Sequence, residues 1–159
     1  MKRILIFGNS GSGKTTLAKS LVDRYSVAHL DLDTIAWQAT EPPLRRSLKD
    51  SLSDIDSFCR DNDSWVIEGC YTDLLELVSH HANEAIFMNL SVEQCRENAQ
   101  ARAWEPHKYD SKEAQDQNLT MLLDWISGYE TRSDTFSRQA HEVFYDKFNN
   151  TKTQITSNQ

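Results

Sequence analysis

The sequence predicts an α/β fold: a three-layer sandwich in which a parallel sheet is covered by helices on both faces. Three observations lead there. Apolar runs of strand length alternate with segments of helical period, and the connections between them are short. A glycine-rich element, Gly8-Asn9-Ser10-Gly11-Ser12-Gly13-Lys14-Thr15, fits G-x-x-x-x-G-K-[ST] and lies between the first strand and the first helix. In such sheets the crossovers are right-handed, and ligands bind at the carboxyl ends of the strands.

Ile4-Leu5-Ile6-Phe7 reads as the first buried strand, and a helix begins at Thr16, with Leu17, Leu21, Val22 and Tyr25 on one face. Val27 to Asp31 is a second short strand. Glu41-Pro42-Pro43 breaks the chain, and Pro43 suits a helix start. Leu44, Leu48, Leu52, Ile55 and Cys59 continue at helical spacing. Trp65-Val66-Ile67 is the third strand, closed by Gly69, and Asp73 to Ser79 is a short helix. Ala85 to Leu90 is the fourth strand. Ser91, with Gln94 three residues on, has a capping-box pattern for a helix running to about Ala103. Pro106 ends that helix, and a polar stretch follows. Leu119, Leu122, Leu123, Ile126 and Tyr129 mark a long amphipathic helix, and Phe136, Ala140, Val143, Phe144 and Phe148 mark another. Thr153 to Thr156 suits an edge strand.

The 159 residues suffice for one domain with a core, but not for a second large one. The reading is therefore one domain over 1–159, with an acceptor-site helical segment near 34–62 and a lid near 102–132. No stretch approaches the ~20 apolar residues of a membrane span, and the N-terminal apolar run reads as a strand rather than a signal peptide. Three well-separated cysteines, Cys59, Cys70 and Cys95, suit a reducing cytoplasm. The net charge of −7 argues against broad nucleic-acid binding, which depends on neutralising phosphates. Expected partners are a nucleoside triphosphate and a small-molecule acceptor, with no membrane, for a monomer or homodimer.

The glycine-rich element is a P-loop. Its glycines let backbone N–H groups wrap phosphates, and the helix N-terminus faces them. Gly8, Asn9, Ser10, Gly11, Ser12, Gly13, Lys14, Thr15 and Thr16 are the candidate nucleotide-binding residues. Lys14 would reach the β- and γ-phosphates, and Thr15 would offer its hydroxyl to Mg2+. ATP and Mg2+ are the expected ligands.

Further candidates fall at the strand ends. Asp31 and Asp33, two apart on an extended chain, project together near the P-loop. Either can orient an acceptor hydroxyl, take its proton or hold metal-bound water; equally, Asp33 can cap a turn. Glu68, ending strand three, occupies the position of a metal-supporting acid, and Gly69 leaves room for an acceptor. Arg102, in the last turn of helix four, and Arg132 are candidates for stabilising the transferring phosphoryl group, Arg102 also for holding the nucleotide. Favourable placement at a helix end and surface pairing are their ordinary alternatives. Arg138, like Arg132, lies in or between the last two helices, and Arg96, six residues before Arg102, points to a different helix face. Trp104 to Tyr109 suits a mobile lid or a plain surface loop, and His107 has no histidine spaced to join it. Trp37 can stack on an acceptor ring or belong to the core.

The P-loop, the Asp31/Asp33 pair, Glu68-Gly69 and Arg102 together resemble small P-loop kinases of the adenylate kinase and shikimate kinase type. Leu30-Asp31-Leu32-Asp33, Trp65-Val66-Ile67-Glu68-Gly69 and Arg102-Ala103-Trp104-Glu105-Pro106-His107-Lys108-Tyr109 more closely resemble the bacterial group labelled topology-modulation protein or adenylate-kinase-like ATPase. The resemblance implies strand order 2-3-1-4-5, an acceptor site between strand two and the helix after Pro43, and a lid after helix four. Glu68-Gly69-Cys70-Tyr71-Thr72 stands where adenylate kinases carry Asp-Gly-Phe-Pro-Arg, so the arginine for an acceptor monophosphate is missing. Arg45 and Arg46 alone could replace the arginines that shikimate kinases use for a carboxylate. The acceptor is therefore open. The leading expectation is a small-molecule or nucleotide kinase using Mg·ATP. The alternatives are a regulatory ATPase acting as a nucleotide switch, and a nucleotide-binding protein with a structural role.

Overall fold

A computed structural model describes residues 1–158. Five strands form one sheet: β1 (Arg3–Gly8), β2 (Ala28–Asp31), β3 (Trp65–Gly69), β4 (Glu84–Met88) and β5 (Thr151–Ile155). Their order is β2-β3-β1-β4-β5, and every neighbouring pair is parallel. The helices are α1 (Lys14–Tyr25), α2 (Leu48–Asp61), α3 (Thr72–Val78), α4 (Val92–Gln100), α5 (Lys112–Gln117), α6 (Leu119–Ser127) and α7 (Arg138–Lys147).

Side-chain alternation divides the core between the two faces. Leu5, Phe7, Trp65, Ile67 and Phe87 pack with Ile55, Leu74, Leu75, Val78 and Phe144 of α2, α3 and α7. Ile4, Ile6, Val66, Ile86 and Met88 pack with Ala18, Cys95, Ala99 and Ile126 of α1, α4 and α6. The central strands are apolar on both faces because both are covered. β5 is an exposed, polar edge strand.

Several element boundaries differ from the sequence expectations. The second helix does not begin at Pro43. Gln38 N–H donates to Leu44 O at 2.7 Å and Arg46 N–H to Ala36 O at 2.8 Å, so 44–46 pair antiparallel with 36–38. The helix begins only after Ser47, whose hydroxyl caps Asp50 N–H, and Leu44 and Leu48 are exposed. Helix four stops at Gln100, short of Ala103; Arg102 N–H reaches Ala99 O rather than Asn98 O, and the turn tightens. Ser91 caps Gln94 N–H as expected, but the Gln94 amide donates to Asn98 instead of closing a capping box. The helix expected over 119–129 ends at Ser127 and gives way to a short 3-10 turn, Gly128–Glu130.

A buried histidine ties the second half of the chain to the sheet. His141 on α7 is fully buried between Phe7, Phe87 and Tyr129. Its Nε2 lies 2.9 Å from Cys70 O, which can only accept, so Nε2 carries the proton and Nδ1 accepts from Tyr129 OH at 2.6 Å. Burial pushes its pKa down to about 4. The folded ring is therefore neutral where the unfolded chain would already be protonated. Its contribution is complete above the unfolded pKa of about 6.5 and is lost as pH falls toward 4. We expect this group to remove about 2–3 kcal/mol of stability between pH 7 and 4.5. Denaturant unfolding at the two pH values should show a smaller loss in His141→Asn, although that variant starts less stable. An equal loss in both proteins would contradict the assignment.

Candidate active site

The P-loop is shaped by close backbone packing. A side chain on Gly11 would place its Cβ 2.3 Å from Cys95 O, and one on Gly8 would meet Met88 O at 2.4 Å. Gly11 and Gly13 have φ of 79° and 92°, in the left-handed region. The loop is thus pressed against β4 and α4 and wraps a space in front of α1. Lys14 Nζ donates to Asn9 O at 2.7 Å across it. Asn9 is buried and donates its amide to Ile126 O at 3.2 Å, fixing the loop to α6. The Ser12 hydroxyl is buried inside the loop with no hydrogen-bond partner among the described residues.

In front of the loop lies a cleft of about 770 Å³. Ser10, Gly11, Gly13, Lys14, Thr15, Thr16, Asp33, Glu68, Gly69 and Arg102 line it, with Trp104, Glu105, Lys108 and Tyr109 opposite and Asn98 and Asn158 at one end. Gly8, Asn9 and Ser12 build the loop without lining the cleft.

Thr15 and Glu68, the two expected metal-binding residues, meet directly. Thr15 Oγ1 donates to Glu68 Oε2 at 2.7 Å, and His29 Nε2 lies 3.0 Å from the same oxygen. Glu68 is 2% exposed. Burial alone would raise its pKa, but the His29 hydrogen bond, the Lys14 charge and the Thr15 hydroxyl together hold it below the usual range. An ionised carboxylate beside a hydroxyl at the mouth of a P-loop fits Mg2+, which takes one or two protein oxygens and fills its shell with phosphate and water.

Asp31 ends β2, but Asp33 lies beyond the strand in the short 3-10 turn Leu32–Thr34, so the two are not two apart on an extended chain as the sequence suggested, and they have separate tasks. Asp31 Oδ1 accepts from Asp33 N–H at 2.9 Å and caps the short turn Leu32–Thr34. Asp31 Oδ2 is buried without a hydrogen-bond partner among the described residues. Burial raises the Asp31 pKa, and the charges of Glu68 and Asp33 add to the rise. Asp33 faces the cleft. Its Oδ1 accepts from Tyr71 OH, which itself accepts from Trp37 Nε1 at 2.8 Å. Its Oδ2 lies 2.9 Å from Lys108 Nζ. Burial opposes its ionisation, but the Lys108 charge and the Tyr71 hydrogen bond outweigh burial and lower its pKa.

The other candidates divide between the cleft and the packing around it. Gly69 lines the cleft, but a Cβ there would strike Leu32 Cβ at 2.9 Å, so packing of β3 on Leu32 already requires glycine. Trp37 does not line the cleft; it acts through Tyr71. Arg102 lines the cleft just beyond α4, paired with Glu105 at 3.2 Å. Arg132 stands away from the cleft with its guanidinium 3.8 Å over the Trp125 ring, bonded to Trp125 O. Arg138 binds Leu90 O and Asn89, and Arg96 binds Leu123 O and Ser127, so both brace the fold. Burial pushes the Cys70 thiol up to about 12, which leaves it un-ionised at neutral pH.

Sequence reasoning missed several participants, His29 on Glu68 among them. Lys108 was one member of a polar stretch, and nothing local pairs it with Asp33. Tyr71 followed a glycine and a cysteine without a motif of its own. Asn158 lies beyond the last strand; its amide donates to Ser12 O at 3.1 Å, and its Oδ1 accepts from Asn98 at 2.7 Å. Asn98 also donates to Gly11 O at 2.8 Å. The chain after β5 is thereby stitched to the P-loop.

No family model matches the chain, and no curated protein does. Solved structures do. A shikimate kinase from Bacteroides thetaiotaomicron superposes with a TM-score of 0.53 at 13% identity, over 96% of this chain and 85% of that one. An uncharacterized protein from Eubacterium ventriosum superposes with a TM-score of 0.51 at 16% identity, over 98% and 88%. At such identities the likeness is one of fold: the chain has the shikimate-kinase-like P-loop α/β architecture, with strand order 2-3-1-4-5.

Proposed function

We propose that the protein is a phosphotransferase that moves the γ-phosphoryl group of Mg·ATP to a hydroxyl of a small acceptor. The observation that carries this reading is the cleft with a P-loop on one wall and Asp33 on the other, with Glu68 and Thr15 joined beside Lys14. The finer likeness to the bacterial topology-modulation group rests on the sequence motifs.

The nucleotide phosphates would lie along Ser10 to Thr16, where loop N–H groups and the α1 N-terminus face them. Lys14 would exchange Asn9 O for the β- and γ-phosphates. Thr15 and Glu68 would hold Mg2+, which when bound neutralises phosphate charge. Asp33 would orient the acceptor hydroxyl toward phosphorus. Because a phosphoryl transition state is loose, positioning and charge neutralisation matter more than a strong base, and a carboxylate with a lowered pKa suffices. Arg102 and the 103–111 turn would cover the cleft and exclude water.

Two variants test this reading. Lys14→Ala removes a charge-assisted phosphate contact, and Mg·ATP affinity should fall about 10²-fold or more while the melting temperature shifts little. Calorimetric titration and thermal melting read both, and unchanged affinity would refute the P-loop assignment. Asp33→Asn keeps the shape and one hydrogen-bond acceptor but loses the charge. Acceptor-dependent ADP release should drop about 10²-fold with ATP affinity unchanged. Loss of ATP binding in this variant would move Asp33 from the acceptor to the metal.

A further inference from the structure

The 103–111 turn places a lysine where an acceptor should sit. Lys108 Nζ lies 2.9 Å from Asp33 Oδ2 and 3.6 Å from both Asp31 Oδ2 and Glu105 Oε2. The turn is braced to hold it there. Lys108 and Tyr109 N–H donate to Glu105 O, Trp104 Nε1 donates to Tyr109 O, and Gln115 bonds both Ala103 O and Glu105 N–H. Asp31 is the telling residue. It is 8% exposed, and its Oδ2 has no hydrogen-bond partner among the described residues although it points toward Lys108, with His107 Nε2 3.7 Å away. A buried carboxylate oxygen left so is costly and marks a place for a donor. The lysine is near enough to attract that oxygen but too far to hydrogen-bond it.

The two arginines nearest the acceptor side are already engaged. Arg45 is held by Asp73 at 3.1 and 3.3 Å, between the rings of Tyr71 and Phe136. Arg46 is held by Asp54 at 2.6 Å and by Ile35 O at 2.9 Å. Neither lines the cleft. If Lys108 turned to an anionic acceptor it would leave Asp31 and Asp33 facing each other uncompensated. An acceptor that brings its own positive charge has the opposite effect. It replaces Lys108 at the carboxylates and frees that ammonium for the phosphates.

We propose that the acceptor is a hydroxyl compound carrying a protonated amine, an amino alcohol or amino sugar, and that Lys108 is its internal stand-in between Asp31 and Asp33. The inference rests on the kinase reading. The acceptor oxygen would form a bond to the γ-phosphorus as the bond from that phosphorus to the β,γ-bridging oxygen breaks. ADP leaves with that electron pair, and the hydroxyl proton passes through Asp33 to water. The amine stays protonated and only positions the hydroxyl.

Chemical rescue tests the site without turnover. Lys108→Ala removes three methylenes and an ammonium, the size of n-propylammonium. Tens of millimolar n-propylammonium should raise the melting temperature of Lys108→Ala by about 2–5 °C and leave the unmutated protein unmoved. Adding Asp31→Asn to the variant should abolish the rescue. Equal rescue by 1-propanol, by sodium chloride at matched ionic strength or by Mg2+ would overturn the ammonium site. ADP release by the unmutated protein then tests the acceptor class, and still does so where Lys108→Ala fails to fold. Ethanolamine or glucosamine should stimulate release above glycerol, glucose, shikimate and AMP, and Asp31→Asn should raise KM for the amine about tenfold or more with a smaller change in kcat. Stimulation by shikimate or AMP alone, or equally by neutral polyols, would overturn the proposal. Specific amine rescue without acceptor-dependent release would uphold the ammonium site and overturn the kinase reading beneath it.

Discussion

Everything at this site depends on how closely the loop after β1 can approach β4 and α4. Gly8 sits against the Met88 carbonyl and Gly11 against the Cys95 carbonyl, at separations that no Cβ could enter. That approach, with Gly11 and Gly13 in left-handed conformations, turns the chain sharply enough for α1 to start at Lys14. The start of α1 fixes Thr15, and the parallel pairing of β1 with β3 brings Glu68 level with it. A wider loop would separate hydroxyl from carboxylate. The elements that hold the loop come from distant parts of the sequence: Asn9 reaches α6, Asn98 reaches Gly11 from α4, and Asn158 closes on Ser12 from beyond β5.

The second wall of the cleft is organised by charge. Four carboxylates, Asp31, Asp33, Glu68 and Glu105, converge at the ends of β2 and β3 and on the facing turn. Each is managed differently. Glu68 shares Thr15 and His29, Glu105 shares Arg102, and Asp33 shares Tyr71 and Lys108. Asp31 caps its own turn with one oxygen and leaves the other unbonded. Lys14 offsets part of this acid, its charge helping to lower the pKa of both Glu68 and Asp33. The arrangement suits a reaction that brings positive charge with its ligands.

Much of this was legible in the sequence because it is local. The P-loop is a contiguous pattern with a required strand before it and helix after it. Asp31 and Glu68 could be placed at strand ends from the runs that precede them, whereas Asp33 falls in a 3-10 turn that its extended-chain reading did not foresee. The helix boundaries were less legible. Leu44 and Leu48 have helical spacing, yet hydrogen bonds to residues 36–38 hold 44–46 extended and delay the helix to Leu48. Periodicity cannot see that competition. Arg132 looked available as a lone arginine near a helix end, but the Trp125 ring claims its guanidinium. Lys108, Tyr71 and His141 were not legible as participants, because each matters through one partner 38 or more positions away, or 75 in the case of Lys108 and Asp33. A single residue with a remote partner leaves no spacing to read.

The central claim is that the Thr15–Glu68 pair and Lys14 form a nucleotide-ready phosphate and metal site. A crystal structure with Mg2+ and a non-hydrolysable ATP analogue tests it most directly. The account predicts phosphates along Ser10 to Thr16, Lys14 Nζ moved from Asn9 O to the β- and γ-phosphates, and Mg2+ between the Thr15 hydroxyl and Glu68, with the 2.7 Å hydrogen bond between them opened. An analogue bound elsewhere, with Lys14 still on Asn9 O and Thr15 still on Glu68, would contradict it.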